Sequence, residues 1–122
     1  MPNINFESGK DLATQLFSKK NMPDGIFFSN DMSATGFIVG AQESGLKIPD
    51  DVAVAGFNND ISSRIVKPNL TTINYPATEL GTIAVNHIID HLQGINNLNI
   101  TNQVVLKSDL IIRESTMKIK NE

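Results

Sequence analysis

Apolar and polar positions alternate along this chain in two rhythms, one of helical period and one of short unbroken runs. From Ser8 to Lys20 the period is helical: Leu12, Ala13, Leu16 and Phe17 share one stripe, and Lys10, Asp11, Gln15, Lys19 and Lys20 are left for solvent. Ser8 with Asp11 three residues on approximates a capping box, the two lysines complement the carboxyl end of the dipole, and Asn21 offers a stop. Gly25 to Phe28 is a short apolar run set between Pro-Asp and Ser-Asn-Asp, as a buried strand should be. It turns at once into a second helix, with Asn30 or Asp31 as N-cap, Phe37, Ile38 and Ala41 on its apolar face, and Gly45 at its end. Val52 to Phe57 is another apolar run. Such runs point to parallel strands covered on both faces and joined by a right-handed helical crossover.

The pattern then loosens. Asn58 to Ser63 is polar, a helical turn is expected through Ile65, and Lys67-Pro68-Asn69 enforces an extended or turned path into a short strand, Thr71 to Asn74. Pro76 opens a further helix whose stripe of Leu80, Ile83, Ala84, Ile88 and Leu92 runs to a stop at Gly94. Residues 95–102 are an Asn-rich connection without a pattern. Gln103 to Glu114 holds two apolar runs, VVL and LII, which predict one long strand, and the charged tail from Met117 is expected to fray. The fold class that follows is α/β: a doubly wound, mainly parallel sheet flanked by helices.

Four stretches carry a resemblance: PDGIFFSND, GLKIPDDVAVAGFNN, PNLTTINYP and LIIREST. In this order and spacing, from Ser8 to Thr116, they resemble the C-terminal part of the effector-binding, periplasmic-binding-protein-like domain of the LacI/GalR family of bacterial transcription regulators. The resemblance implies two similar α/β lobes joined by three crossover strands, with a small effector, a sugar or sugar derivative, in the cleft between them. Residues 8–74 and 108–116 would then belong to the C-terminal lobe and 75–107 to the N-terminal lobe, so that 1–122 is one partial effector-binding domain. The helix from Pro76 would lack its native partner, and its apolar stripe would have to be buried elsewhere, for instance against a second copy. A homodimer is implied, as is a cytoplasmic setting. Operator DNA would be reached only through a helix-turn-helix head that the chain does not contain.

Composition narrows this further. With 10 Lys and Arg against 13 Asp and Glu, the formal charge is −3, without the basic surplus of a nucleic-acid module. There is no cysteine, hence neither a disulfide framework nor a thiolate metal site. No apolar run approaches the ~20 residues that span a bilayer, and MPNINFESGK lacks the apolar core of a secretory signal.

The candidate effector contacts are Asn30, Asn58, Tyr75 and Phe6. Asn30 follows the first strand at its carboxyl end, where doubly wound sheets place ligands; its alternative role is a plain N-cap. Asn58 matches the position usually held by Asp in the family's GFDD or GYDD signature. Here GFNN brings donors as well as an acceptor where a carboxylate only accepts; its alternative is to shape the turn. Tyr75, at the first crossover, would either line the cleft or pack between lobes. Phe6, or Ile4 if no residue is deleted, falls near the family's ligand-covering aromatic. Thr35, Ile65 and Val66 match the family's dimer surface, while Gly36 and Gly40 form a GxxxG read as close helix-on-sheet packing. His87 and His91, four apart on a helix, have no evident third ligand, so no metal and no cofactor is expected. Asn69-Leu70-Thr71 and Asn99-Ile100-Thr101 are chance glycosylation sequons. No nucleophile elbow, phosphate loop or GxGxxG is present, which argues against an enzyme. The rival reading is a periplasmic sugar-binding protein with the same two-lobed fold.

Overall fold

In a computed structural model of the chain, the described residues are 4–18, 22–95 and 103–118. The chain divides into two compact units, the first of Met1–Asn74 and Leu110–Glu122, the second of Tyr75–Asp109.

The first unit is a sheet with helices built from α1 (Phe6–Phe17), β1 (Gly25–Phe27), α2 (Asp31–Glu43), β2 (Ala53–Phe57), α3 (Ser62–Ile65) and β3 (Thr71–Asn74). Strand order is β1-β2-β3, followed by β4 (Asp109–Ile111) beside β3. The first three strands are parallel, with Ile26 opposite Val54 and Gly56 opposite Thr72. Phe37, Ile38, Val52, Val54 and Leu70 are fully buried, and the Phe28 and Phe37 rings stack tilted at 5.4 Å between centroids. These are the apolar runs and the helical stripe of the sequence, now facing one another.

Three details depart from the sequence expectation. α1 starts earlier than Ser8: Asn5 is the N-cap, its side chain accepting from the Ser8 N–H at 2.9 Å, and Ser8 Oγ accepts from the Asn5 N–H at 3.1 Å. Asn5 is itself a strong capping residue, so Ser8 becomes the reciprocal partner one turn in. The Gly36 and Gly40 pair is helix-on-helix packing, not helix-on-sheet. A Cβ on Gly36 would run into the Phe6 carbonyl, one on Gly40 would lie 2.8 Å from the Lys10 carbonyl, and Gly9 of α1 abuts the Ser33 carbonyl in return.

The third departure concerns residues 103–114, where only Asp109–Ile111 is strand. Val104 and Val105 are exposed, and beyond Ile112 the chain turns into a 3-10 turn, Glu114–Thr116. There side chains replace ladder bonds. The fully buried Ser115 hydroxyl donates to the Val54 carbonyl at 2.6 Å and accepts from the Thr71 N–H at 2.8 Å. Lys19, Lys20, Asn21 and the connection 96–102, including the second sequon, lie outside the described residues.

The second unit is α4 (Ala77–Leu92), with Pro76 at its N-cap and Gly94 in a left-handed conformation past its end. No residue of α4 is buried. Leu80, Val85, Ile88, Ile89 and Leu92 are all at least 44% exposed, so the stripe read from the sequence forms an open face. Among the described residues no helix is long and apolar enough to cross a membrane.

Candidate functional site

Parallel strands in a doubly wound sheet deliver the chain to one edge, and the residues just past each carboxyl end gather there. After β1 and the core residue Phe28 come Ser29, Asn30 and Asp31; after β2 come Asn58, Asn59 and Asp60; β3 ends in Asn74. Every one of them is polar.

Asn30 is the N-cap of α2, its Oδ1 accepting from the Ser33 N–H at 2.7 Å. That uses the oxygen, and the Nδ2 donors have no partner among the described residues. Asp31, the next residue, is fully buried. Its carboxylate accepts from the Thr72 hydroxyl at 2.6 Å and from the Asp60 N–H at 2.8 Å. Burial raises its pKa above the ordinary 3.8, while the two hydrogen bonds act in the opposite sense, joined by the weaker pull of Arg113 against the push of Asp60. Gly56 sits directly against this carboxylate, where a Cβ would collide with Oδ1. The start of α2 and the loop after β2 are therefore tied together through Asp31.

That loop has an unusual backbone. Asn58 lies at φ +116° and Asn59 at φ +54°, the left-handed region that Asn tolerates better than other side-chain-bearing residues. The Asn58 N–H donates to the Ile73 carbonyl at 2.9 Å, fixing the turn to β3. Its half-buried carboxamide has no partner among the described residues. Both roles weighed for Asn58 are thus compatible: the backbone shapes the turn and the side chain stays available.

The other candidates scatter. Phe6 opens α1 with its carbonyl against Gly36. The groove beside the carboxyl end of β1 is lined by Ile4, Leu12, Phe28, Ser29 and Ser33, and Phe6 is not among its lining residues. Tyr75 is half-buried and begins the second unit. Of the dimer candidates, Ile65 is exposed, whereas Thr35 and Val66 are buried within the chain, Val66 as part of the core. The Thr35 and Ser62 hydroxyls, on α2 and α3, are buried without a hydrogen-bond partner among the described residues. Among the described residues no group of three His, Cys, Asp or Glu could hold a metal ion.

Sequence reasoning missed Asp31, Asn59 and Arg113 as members of the edge. A signal existed: two polar clusters, Ser29-Asn30-Asp31 and Asn58-Asn59, each follow an apolar run directly.

Comparison with known proteins follows the same outline. The profile of the periplasmic binding protein-like domain matches residues 3–116. The chain is 41% identical over 113 residues to the NTD biosynthesis operon regulator NtdR of Bacillus subtilis, covering 93% of this chain and 34% of that one. A LacI family transcriptional regulator from Lactobacillus casei with bound sucrose is 28% identical, with a TM-score of 0.73 over 91% of this chain and 40% of that one. The lac repressor dimer bound to operator and the anti-inducer ONPF is 26% identical, with a TM-score of 0.82 over 93% and 34%. The chain spans about a third of the length of the curated relatives it matches.

Proposed function

Because this chain belongs to the periplasmic binding protein-like domain family, we propose that it is the effector-sensing and dimerising part of a LacI-type transcription regulator. The observation that carries the reading is Asn58, held at φ +116° at the carboxyl end of β2 with its carboxamide unengaged among the described residues. A residue kept in a disfavoured backbone region with an unspent polar side chain is what a ligand contact looks like. Asn30, tied to the same loop through Asp31, offers its Nδ2 donors at the end of the neighbouring strand. Together the two amides suit a polyol: a pyranose hydroxyl both donates and accepts, and Asn58 does both as well. The sucrose held by the Lactobacillus casei relative supports a carbohydrate effector.

The first unit is then the C-terminal lobe, and the second, residues 75–109, is a piece of the N-terminal lobe. In the intact regulator the open face of α4 is covered by the rest of that lobe. The effector works by linkage: it binds one arrangement of the lobes better than the other and shifts their equilibrium. Dimerisation uses α2 and α3, where Ile65 is exposed and the Thr35 and Ser62 hydroxyls lack partners among the described residues. DNA is read by a separate helix-turn-helix head.

Reading the coding sequence upstream of residue 1 tests this. A helix-turn-helix of roughly 50 residues followed by the remaining lobe supports the regulator. A secretory leader before that lobe would make the protein a transport receptor instead.

A further inference from the structure

Asn59 follows Asn58 directly and has the opposite character, since every arm of its side chain is engaged. Its Nδ2–H donates to Asn74 Oδ1 at 3.1 Å, its Oδ1 accepts from the Arg113 guanidinium at 2.8 Å, and its backbone N–H donates to Thr72 Oγ1 at 3.2 Å. The two side-chain partners have a particular place in the chain. Asn74 is the last residue of the first unit before the chain leaves for the second, and Arg113 lies three residues past Leu110, where it returns. Arg113 is itself pinned, donating to the Ser63 hydroxyl at 3.0 Å and to the Leu70 carbonyl at 2.7 Å. A guanidinium fixed at two points presents its remaining donors in a rigid direction.

We infer that Asn59 is a positioning residue: it clips the ligand-facing loop to both chain connections between the two units, so that a displacement of Asn58 reaches both connections together. The inference rests on the reading of Asn58 as an effector contact. A carboxamide fits the task because one planar group supplies a donor for Asn74 and an acceptor for Arg113. At φ +54° the backbone also selects Asn, Asp or Gly over other residues.

Amide exchange of the whole chain without ligand, corrected for intrinsic rates, provides the test. Asn59→Gly keeps the left-handed backbone and deletes the clip, whereas Asn59→Asp keeps the acceptor for Arg113 and lets the Asn74 amide turn to donate. In the glycine variant the Asn58 N–H, bonded to Ile73, and the Arg113 N–H, bonded to Thr71 Oγ1, are expected to exchange about tenfold faster. The Phe28 N–H, bonded to Ala55 in the core, should be unchanged, and the aspartate variant should restore the native rates. Asn74→Ala cuts the clip at one end and should be felt at the Arg113 N–H even if the glycine variant does not fold. Equal acceleration at Phe28, no rescue by aspartate, or an Arg113 N–H indifferent to Asn74→Ala would each overturn the inference. Since no ligand is present, its failure leaves the effector reading of Asn58 untouched, and a failed ligand search leaves the clip untouched.

Discussion

Asp31 shows how much of the edge depends on one side chain. A buried carboxylate whose pKa is raised by burial holds its proton more tightly in the folded chain than in the unfolded one. Its contribution is therefore most favourable below the ordinary value of 3.8 and declines as pH rises through the raised folded value, beyond which it is flat. In Asp31→Asn the amide oxygen can still accept from Asp60 and the amide nitrogen can donate to Thr72 Oγ1, so the fold is retained without the titration. Urea denaturation of both forms should show the native chain gaining on the variant as pH falls through that window; a difference independent of pH would count against the assignment. The cap made by Asn30 was legible because cap and helix are adjacent in sequence. The partners of Asp31 were not, since Thr72 stands 41 residues away and Asp60 stands 29 away. At Gly36 the same limit applies: a GxxxG shows that something approaches closely, but only the structure shows that it is the Phe6 carbonyl. Gly36→Ala should lower stability by about 1–3 kcal/mol despite alanine's better helix propensity, as read by thermal denaturation.

At the scale of elements, α4 is the counterexample in which propensity acts alone. Gly81 lies in its interior with open space around it, so Gly81→Ala should raise stability by about 0.5–1 kcal/mol, or at least raise the helicity measured by circular dichroism. An equal loss at Gly36 and Gly81 would mean that α4 is packed after all. Its open apolar face should bind a hydrophobic dye, and the pair Ile88→Lys and Leu92→Lys should remove most of that signal without unfolding the first unit. The 3.6-residue spacing of α4 was plain in the sequence because a helix carries its own hydrogen bonds. β4 was overextended for the converse reason: a strand exists only where a neighbour pairs with it, and an apolar run such as Val104 to Leu106 does not say where the neighbour ends. The strand expected through Glu114 ran two residues into the REST segment, where the structure has a 3-10 turn from Glu114 instead. Its order comes from Ser115 and Arg113 hydrogen bonds to residues 42 to 61 positions away.

For the whole molecule, the α/β layering and the parallel pairing of β1 with β2 were legible because each rests on local runs and on the one handedness open to a crossover. The polar edge was legible in part: Asn30 follows from the rule that ligands meet doubly wound sheets at strand ends, and Asn58 from its match to the family's GFDD or GYDD signature. Their neighbours were hidden, because the network joining Asp31, Asn59, Thr72, Asn74 and Arg113 spans most of the chain. One wall of a cleft encloses too little of a ligand to hold it tightly, since pockets that bind well bury about 70–90% of their ligands. A titration of the isotope-labelled chain with a panel of mono- and disaccharides, followed by NMR, meets the central claim most directly. Binding of about millimolar strength is expected, with shifts converging on the side-chain amides of Asn30 and Asn58 and abolished in Asn58→Ala. Silence at both amides across the panel, or a saturable response that survives Asn58→Ala, would contradict it.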